Sequence, residues 1–179
     1  MANKTREWKI SFDGENKGTA WVMGNDVSTD DIIAGKFLEI RDMESLSIHV
    51  FERFGNDFAR NVKPGDVIIA GNNFGCGSSR EQAPYLLKLL GVGAIFACSF
   101  ARIFYRNAIN IGLPAIIIER EDYTSFKTSD PVVYTLDPIV ITNARSKKKC
   151  LLQPLPVFIM QILHAGGAIS LLKKQLARK

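Results

Sequence analysis

The sequence predicts a single α/β domain, layered β/β/α, with a partly parallel sheet covered by helices. Three observations carry this expectation. Short uninterrupted apolar runs at 67–71 (VIIAG), 94–98 (AIFAC) and 115–118 (AIII) have the length of strands covered on both faces. Helical stretches near 80–91 and 101–109 separate them, giving the strand–helix alternation of a parallel layer. Segments 132–135 (VVYT) and 139–142 (IVIT), joined through Leu136-Asp137-Pro138, read as β pieces able to pair with an N-terminal strand in a second sheet.

Taken in order, 17–23 (KGTAWVM) reads as that N-terminal strand, followed by an acidic loop over 25–31 (NDVSTDD). Leu46, Val50 and Phe54 recur at four-residue intervals and predict a helix over 43–54, ending near Gly55-Asn56, with a shorter helix reaching Val62. Lys63-Pro64-Gly65-Asp66 is a turn into the first apolar run. At the C-terminal end, two short amphipathic helices are expected over 155–165 and 168–177, broken at Gly166-Gly167. The stretch between Leu151 and Leu172 carries no formal charge, but its two glutamines, two prolines and glycine pair argue against a membrane span.

At 179 residues and 46% hydrophobic composition, the chain has material for one core, and with no repeat or linker it reads as one domain over 1–179. The net charge of +5 is dispersed apart from Lys147-Lys148-Lys149 and the tail residues Lys173, Lys174, Arg178 and Lys179. Without a clustered basic and aromatic face, a solvated surface is favoured over a nucleic-acid site. Cys76, Cys98 and Cys150 form no CxxC pair, so no metal site is expected in this chain, and it does not hold a four-cysteine cluster by itself. An odd cysteine count and a polar N-terminal segment suggest a reducing cytoplasmic location.

The most informative stretch is 71–81 (GNNFGCGSSRE), which follows a buried strand and leads into a helix. In open α/β sheets ligands collect at such strand ends, and glycines allow backbone N–H groups to approach an anion closely. Ser78 and Glu81 also fit an S-x-x-E capping box, while Pro84 implies an irregular first turn. Arg80 beside two hydroxyls suits recognition of a small carboxylate or phosphate. Asp30 and Asp31 are candidates to orient Arg80 or a substrate hydroxyl, or form an ordinary turn or helix cap. Cys76 reads as a small residue filling tight space, and His49 and His164 as helix-borne residues without a catalytic role.

Three motifs carry a resemblance: 26–33 (DVSTDDII), 73–81 (NFGCGSSRE) and 99–114 (SFARIFYRNAINIGLP), with 162–167 (ILHAGG) near the end. Together they resemble the small subunit of the isopropylmalate dehydratase and homoaconitase family, equivalent to the swivel domain of aconitase. The resemblance implies an aconitase-swivel-like fold and a hydro-lyase reaction that moves a hydroxyl between adjacent carbons of a hydroxy-dicarboxylic acid. It implies a large partner subunit, in a heterodimer or heterotetramer, that carries a [4Fe–4S] cluster; no cofactor is expected in this chain, which would be inactive alone. By motif position, Ser78 is the expected catalytic base, Ser79 a substrate hydrogen-bond donor, Arg80 the carboxylate clamp and Asp30 an assisting group. Arg102 and Asn107 stay open between support of the site and local packing. The resemblance also places a specificity loop after the first motif. Phe37, Leu38 and Ile40 favour an apolar substrate arm there, and Glu39 would repel a third carboxylate unless Lys36 or Arg41 neutralises it. Isopropylmalate therefore ranks above homocitrate, with dimethylmalate-type acids as an alternative and a non-catalytic anion- or RNA-binding module as the rival of another class.

Overall fold

The computed structural model describes residues 10–55 and 57–177. Among the described residues the sheet has seven strands: β1 (Asn16–Met23), β2 (Val67–Ala70), β3 (Ala94–Ala97), β4 (Ala115–Ile117), β5 (Pro131–Leu136), β6 (Ile139–Asn143) and β7 (Lys149–Leu151), in the spatial order β4-β3-β2-β1-β5-β6-β7. β1 through β4 pair in parallel, while β5, β6 and β7 continue antiparallel from the other side of β1. The three apolar runs are the parallel strands β2, β3 and β4, and the expected second sheet is the antiparallel half. β1 belongs to both.

That sharing divides β1 along its length. Residues 16–19 pair with β5 and residues 20–23 pair with β2. Where the strand changes partner, the buried Asp66 carboxylate accepts from Thr19 N–H (2.8 Å), Trp21 Nε1 (3.1 Å) and Lys63 N–H (2.9 Å). It thereby satisfies donors that the changing ladder leaves over. Gly18 sits so close to the 65–66 backbone that a Cβ would lie 2.2 Å from the Gly65 carbonyl oxygen. Only glycine fits that approach.

Alternation along the parallel strands explains the three layers. Ile68, Ala70, Ile95, Ala97 and Ala115 face one core, built with the helices, whereas Val67, Ile69, Ala94, Phe96 and Ile116 face another. The second core contains Val132, Tyr134, Leu136, Ile139 and Ile141, so the antiparallel half curls over the back of the parallel half. Each fully buried aliphatic or aromatic side chain contributes roughly 1.5–3 kcal/mol relative to exposure.

The helical layer comprises α1 (Thr29–Ile32), α2 (Met43–Ser47), α3 (Asp57–Asn61), α4 (Gln82–Leu89), α5 (Arg102–Asn110), α6 (Arg120–Tyr123), α7 (Val157–Ala165) and α8 (Ala168–Leu176). The predicted 43–54 helix is instead α2 followed by a separate 3₁₀ turn over Glu52–Phe54. Phe51 adopts a left-handed conformation (φ 58°) and is wholly buried against Phe58, so burial of this ring outweighs helical continuity. The glycine break is as expected: Gly166 (φ 84°) and Gly167 (φ 131°) end α7 and start α8. β7 lies where the sequence shows a basic cluster; only Cys150 of its three residues is buried, too short a pattern to reveal a strand. Arg178 and Lys179 of the basic tail, Asn56 and the N-terminal segment 1–9 lie outside the described residues. No described helix is long and apolar enough to cross a membrane.

Candidate active site

Loops leaving the C-terminal ends of β1, β2 and β3 meet at one edge of the parallel layer. Their backbones continue the parallel pairing beyond the strands: Ser28 bridges Cys76, and Phe74 bridges Phe100. Gly75 N–H donates to the Val27 carbonyl (2.7 Å), Thr29 N–H to that of Cys76 (2.8 Å), and Ala101 N–H to that of Phe74 (2.9 Å). The 71–81 loop is therefore held between its neighbours. Gly75 is indispensable to that arrangement, since φ is 78° and a Cβ would stand 2.1 Å from Cγ of Phe104. Asp26 and Asn73, both with positive φ, brace the loop through Asn73 Nδ2 donating to Asp26 Oδ1 at 2.8 Å.

The acidic loop divides its labour between adjacent carboxylates. Asp31 closes a capping box on α1, accepting from the Ser28 N–H (2.9 Å) and hydroxyl (2.7 Å), and pairs with Arg53 (3.0 Å). Burial pushes its carboxyl up, but the Ser28 bonds and the Arg53 charge outweigh this and hold it below the usual aspartate range. Asp30 instead reaches Arg80, with Nη1 2.6 Å from its Oδ1. Arg80 also donates to the Ile33 carbonyl at 2.7 Å, and its side chain is only 14% exposed. Of the two aspartates, Asp30 orients the arginine and Asp31 secures the helix beneath it.

Ser78, Ser79 and Arg80 line an open cavity of about 910 Å³ together with Thr29, Ser99, Phe100, Arg102, Ile103, Arg106, Asn107 and Ile117. Both serines are exposed. The Thr29 hydroxyl donates to the Ser78 carbonyl at 2.8 Å, fixing the backbone of that residue. The expected Ser78–Glu81 capping box is not formed: α4 begins at Gln82, Glu81 is its N-cap, and no side chain caps it. Thr29 takes hold of Ser78 through its carbonyl, and the serine hydroxyls stay out of the helix cap.

The 37–40 loop does not line this cavity. Phe37 stacks on His49 (centroids 3.8 Å apart) and, with Ile40, packs against the helix-side core, while Leu38 and Glu39 are exposed. Gly35 connects the loop to the site, since a Cβ there would be 3.3 Å from Arg80 Nη2. Lys36 pairs with Glu52 at 3.3 Å, and among the described residues neither Lys36 nor Arg41 pairs with Glu39. The sequence reading did not single out Thr29, Ser99, Arg106 or Ile117. Arg106 was detectable, because Arg102-x-x-x-Arg106 at the head of a predicted helix places both side chains on one face.

Cys76, Cys98 and Cys150 are free thiols, and among the described residues no three His, Cys, Asp or Glu side chains gather to hold a metal ion. The donor set of this chain does not fit an iron–sulfur cluster. Burial, then the Asp26 charge, raises the Cys76 thiol pKa, so this neighbour of the serines stays protonated; its Sγ lies 3.4 Å from the Asp26 carbonyl. His164 stacks on Phe12 away from the cavity.

A parallel layer backed by a curled antiparallel half, with a serine–serine–arginine loop at its open edge, defines an aconitase-type swivel domain. The model of the family described as aconitase C-terminal domain matches residues 52–121. A 3-isopropylmalate dehydratase small subunit 1 of Methanopyrus kandleri is 45% identical over 89% of this chain and 93% of its own length. A small subunit 2 of that name from Archaeoglobus fulgidus is 44% identical over 88% of this chain and 94% of its own length. The crystal structure of a 3-isopropylmalate dehydratase from Methanocaldococcus jannaschii superposes with a TM-score of 0.85 at 43% identity, covering 92% of this chain and 96% of that one. The chain belongs to the 3-isopropylmalate dehydratase small-subunit family.

Proposed function

We propose that this chain is the small subunit of a cytoplasmic 3-isopropylmalate dehydratase of leucine biosynthesis, and that it supplies the proton-transfer serine and a carboxylate-binding arginine to a composite active site. The observation that carries the reading is the position of Ser78, Ser79 and Arg80 in one open cavity, with Arg80 aligned by Asp30. A large subunit would complete the site, and a [4Fe–4S] cluster held there, not by this chain, would supply Lewis acidity where the hydroxyl departs.

In the dehydration half, Ser78 Oγ, as its alkoxide, takes the proton from the carbon next to a substrate carboxylate. It returns that proton when water adds back in the opposite sense. An alkoxide is reachable near neutral pH only where water is excluded and positive charge and N–H donors stabilise it, and Arg80 is the nearest cation in sequence. Ser79 donates a hydrogen bond to the substrate, and Arg80, already held by Asp30 and the Ile33 carbonyl, keeps outer N–H groups for a carboxylate. The 37–40 loop stands outside the cavity lining in this chain; on the family resemblance that assigns it specificity, the exposed Glu39 and the engagement of Lys36 by Glu52 favour a dicarboxylic over a tricarboxylic substrate.

The test is activity of this chain with its cognate large subunit, cluster reconstituted without oxygen, on isopropylmalate, homocitrate and dimethylmalate. Turnover of isopropylmalate that disappears in Ser78→Ala supports the assignment. Full activity in Ser78→Ala, or preference for a tricarboxylic acid, refutes it.

A further inference from the structure

The cavity that holds Ser78 has a second cationic wall. Arg102 and Arg106 occupy the first two turns of α5, four residues apart and so on one helix face, and both line the cavity. Their situation is unlike that of Arg80. Arg80 is largely buried and partly neutralised by Asp30, whereas Arg102 and Arg106 are exposed and, among the described residues, neither makes an ion pair or a side-chain hydrogen bond.

Among the described residues, no aspartate or glutamate lines the cavity. Three guanidinium groups thus converge on a space without a protein carboxylate to balance two of them. Ala101, the residue before α5, provides no side-chain cap, so the helix start adds positive potential on the same side. Phe100, Ile103 and Ile117 supply apolar surface in the same lining. A ligand matching this wall carries a carboxylate and a hydrocarbon portion, with a second carboxylate directed to Arg80.

We propose that Arg102 and Arg106 form a second carboxylate subsite, which binds the end of the diacid remote from Arg80. The inference rests on the dehydratase reading for its substrate, but the anion subsite itself depends only on the cavity. Side chains of this kind contribute charge-assisted, bidentate hydrogen bonds to a carboxylate. Both lie on the surface, so replacing them leaves the core intact.

The experiment uses the full chain in two settings. In the reconstituted holoenzyme, Arg106→Gln and Arg102→Gln each raise KM for isopropylmalate, by roughly 10–100-fold, with a smaller change in kcat. Affinity for the large subunit, measured in parallel, stays unchanged. On the isolated chain, malonate titrated to tens of millimolar shifts the arginine Nε–Hε resonances of Arg102 and Arg106, and the double variant loses the response. An unchanged KM in both variants, or malonate shifts confined to Arg80, overturns the subsite. Weakened subunit association at unaltered KM also overturns it, by assigning the arginines to protein docking. If the holoenzyme turns over none of the acids while malonate still shifts both arginines, the dehydratase reading fails and the anion subsite stands.

Discussion

The hydroxyl of Thr29, buried at the start of α1, donates a 2.8 Å hydrogen bond to the main-chain carbonyl of Ser78 across 49 positions of sequence. Through this bond the loop after β1 sets the backbone of the residue assigned the proton transfer. Thr29→Val preserves shape but leaves the Ser78 carbonyl without that donor. The expected result is a kcat lowered by roughly tenfold with KM changed little, for a loss of about 1–2 kcal/mol in positioning. A drop in KM-linked affinity with unchanged kcat would assign Thr29 to substrate binding instead.

The pair between Asp30 and Arg80 makes a separate prediction. Asp30→Asn keeps the size of the side chain and removes the charge that holds Nη1 at 2.6 Å. Arg80 retains its bond to Ile33, so folding persists, and kcat/KM for isopropylmalate falls by roughly tenfold. Asp31→Asn acts on stability instead, because that carboxylate serves the α1 cap and Arg53. Thermal melting of the two variants beside their steady-state kinetics separates the roles; equal kinetic losses at equal stability would contradict them.

Gly75→Ala tests the close approach of the site loop to α5. The new Cβ meets Phe104 at 2.1 Å and must accept φ of 78°, so both overpacking and left-handed backbone oppose it. Together they cost about 2–5 kcal/mol. The melting temperature should drop by roughly 5–15 °C. A melting temperature within a degree of the parent would show that the loop relaxes freely.

Acid stability follows from Asp130, buried at the end of the loop that leads from α6 into β5. Burial raises its carboxyl, but the Lys127 N–H (2.9 Å), the Asn143 amide (2.7 Å) and Arg145 (2.9 Å) outweigh this and lower it below 3.8. A depressed folded-state pKa means the contribution is complete above the unfolded value of 3.8 and disappears as pH falls through the folded value. Asp130→Asn should therefore lower stability at pH 7 and flatten the loss below pH 4, followed by urea unfolding at a series of pH values. Parallel acid limbs in parent and variant would exclude Asp130 as a source of the pH dependence.

Much of this architecture is legible from the residues alone. Uninterrupted runs such as VIIA and AIFA reveal strands buried on both faces because every position must be apolar there, and Gly166-Gly167 reveals a helix break because both adopt positive φ. The cluster of Ser78, Ser79 and Arg80 is visible as a composition, since hydroxyls and a guanidinium in a glycine-rich strand-to-helix loop have few structural uses together. Contiguity in sequence makes these local facts, and local facts need no knowledge of the fold.

Tertiary structure decided what sequence spacing leaves equivalent. Asp30 and Asp31 are neighbours of the same chemical type, and only the packing of α1 against the 71–81 loop turns one to Arg80 and the other to Ser28 and Arg53. The same holds for the broken 43–54 helix, where burying Phe51 against Phe58 prevails over a four-residue periodicity, and for Ser78, whose capping pattern gives way to a bond from Thr29. Arg102 and Arg106 become members of a site only when α5 is laid beside the serine loop. Propensity and motif act over a few residues, at tenths to about one kcal/mol each; burial and long-range hydrogen bonds act at greater strength between distant segments, so they settle which local option survives.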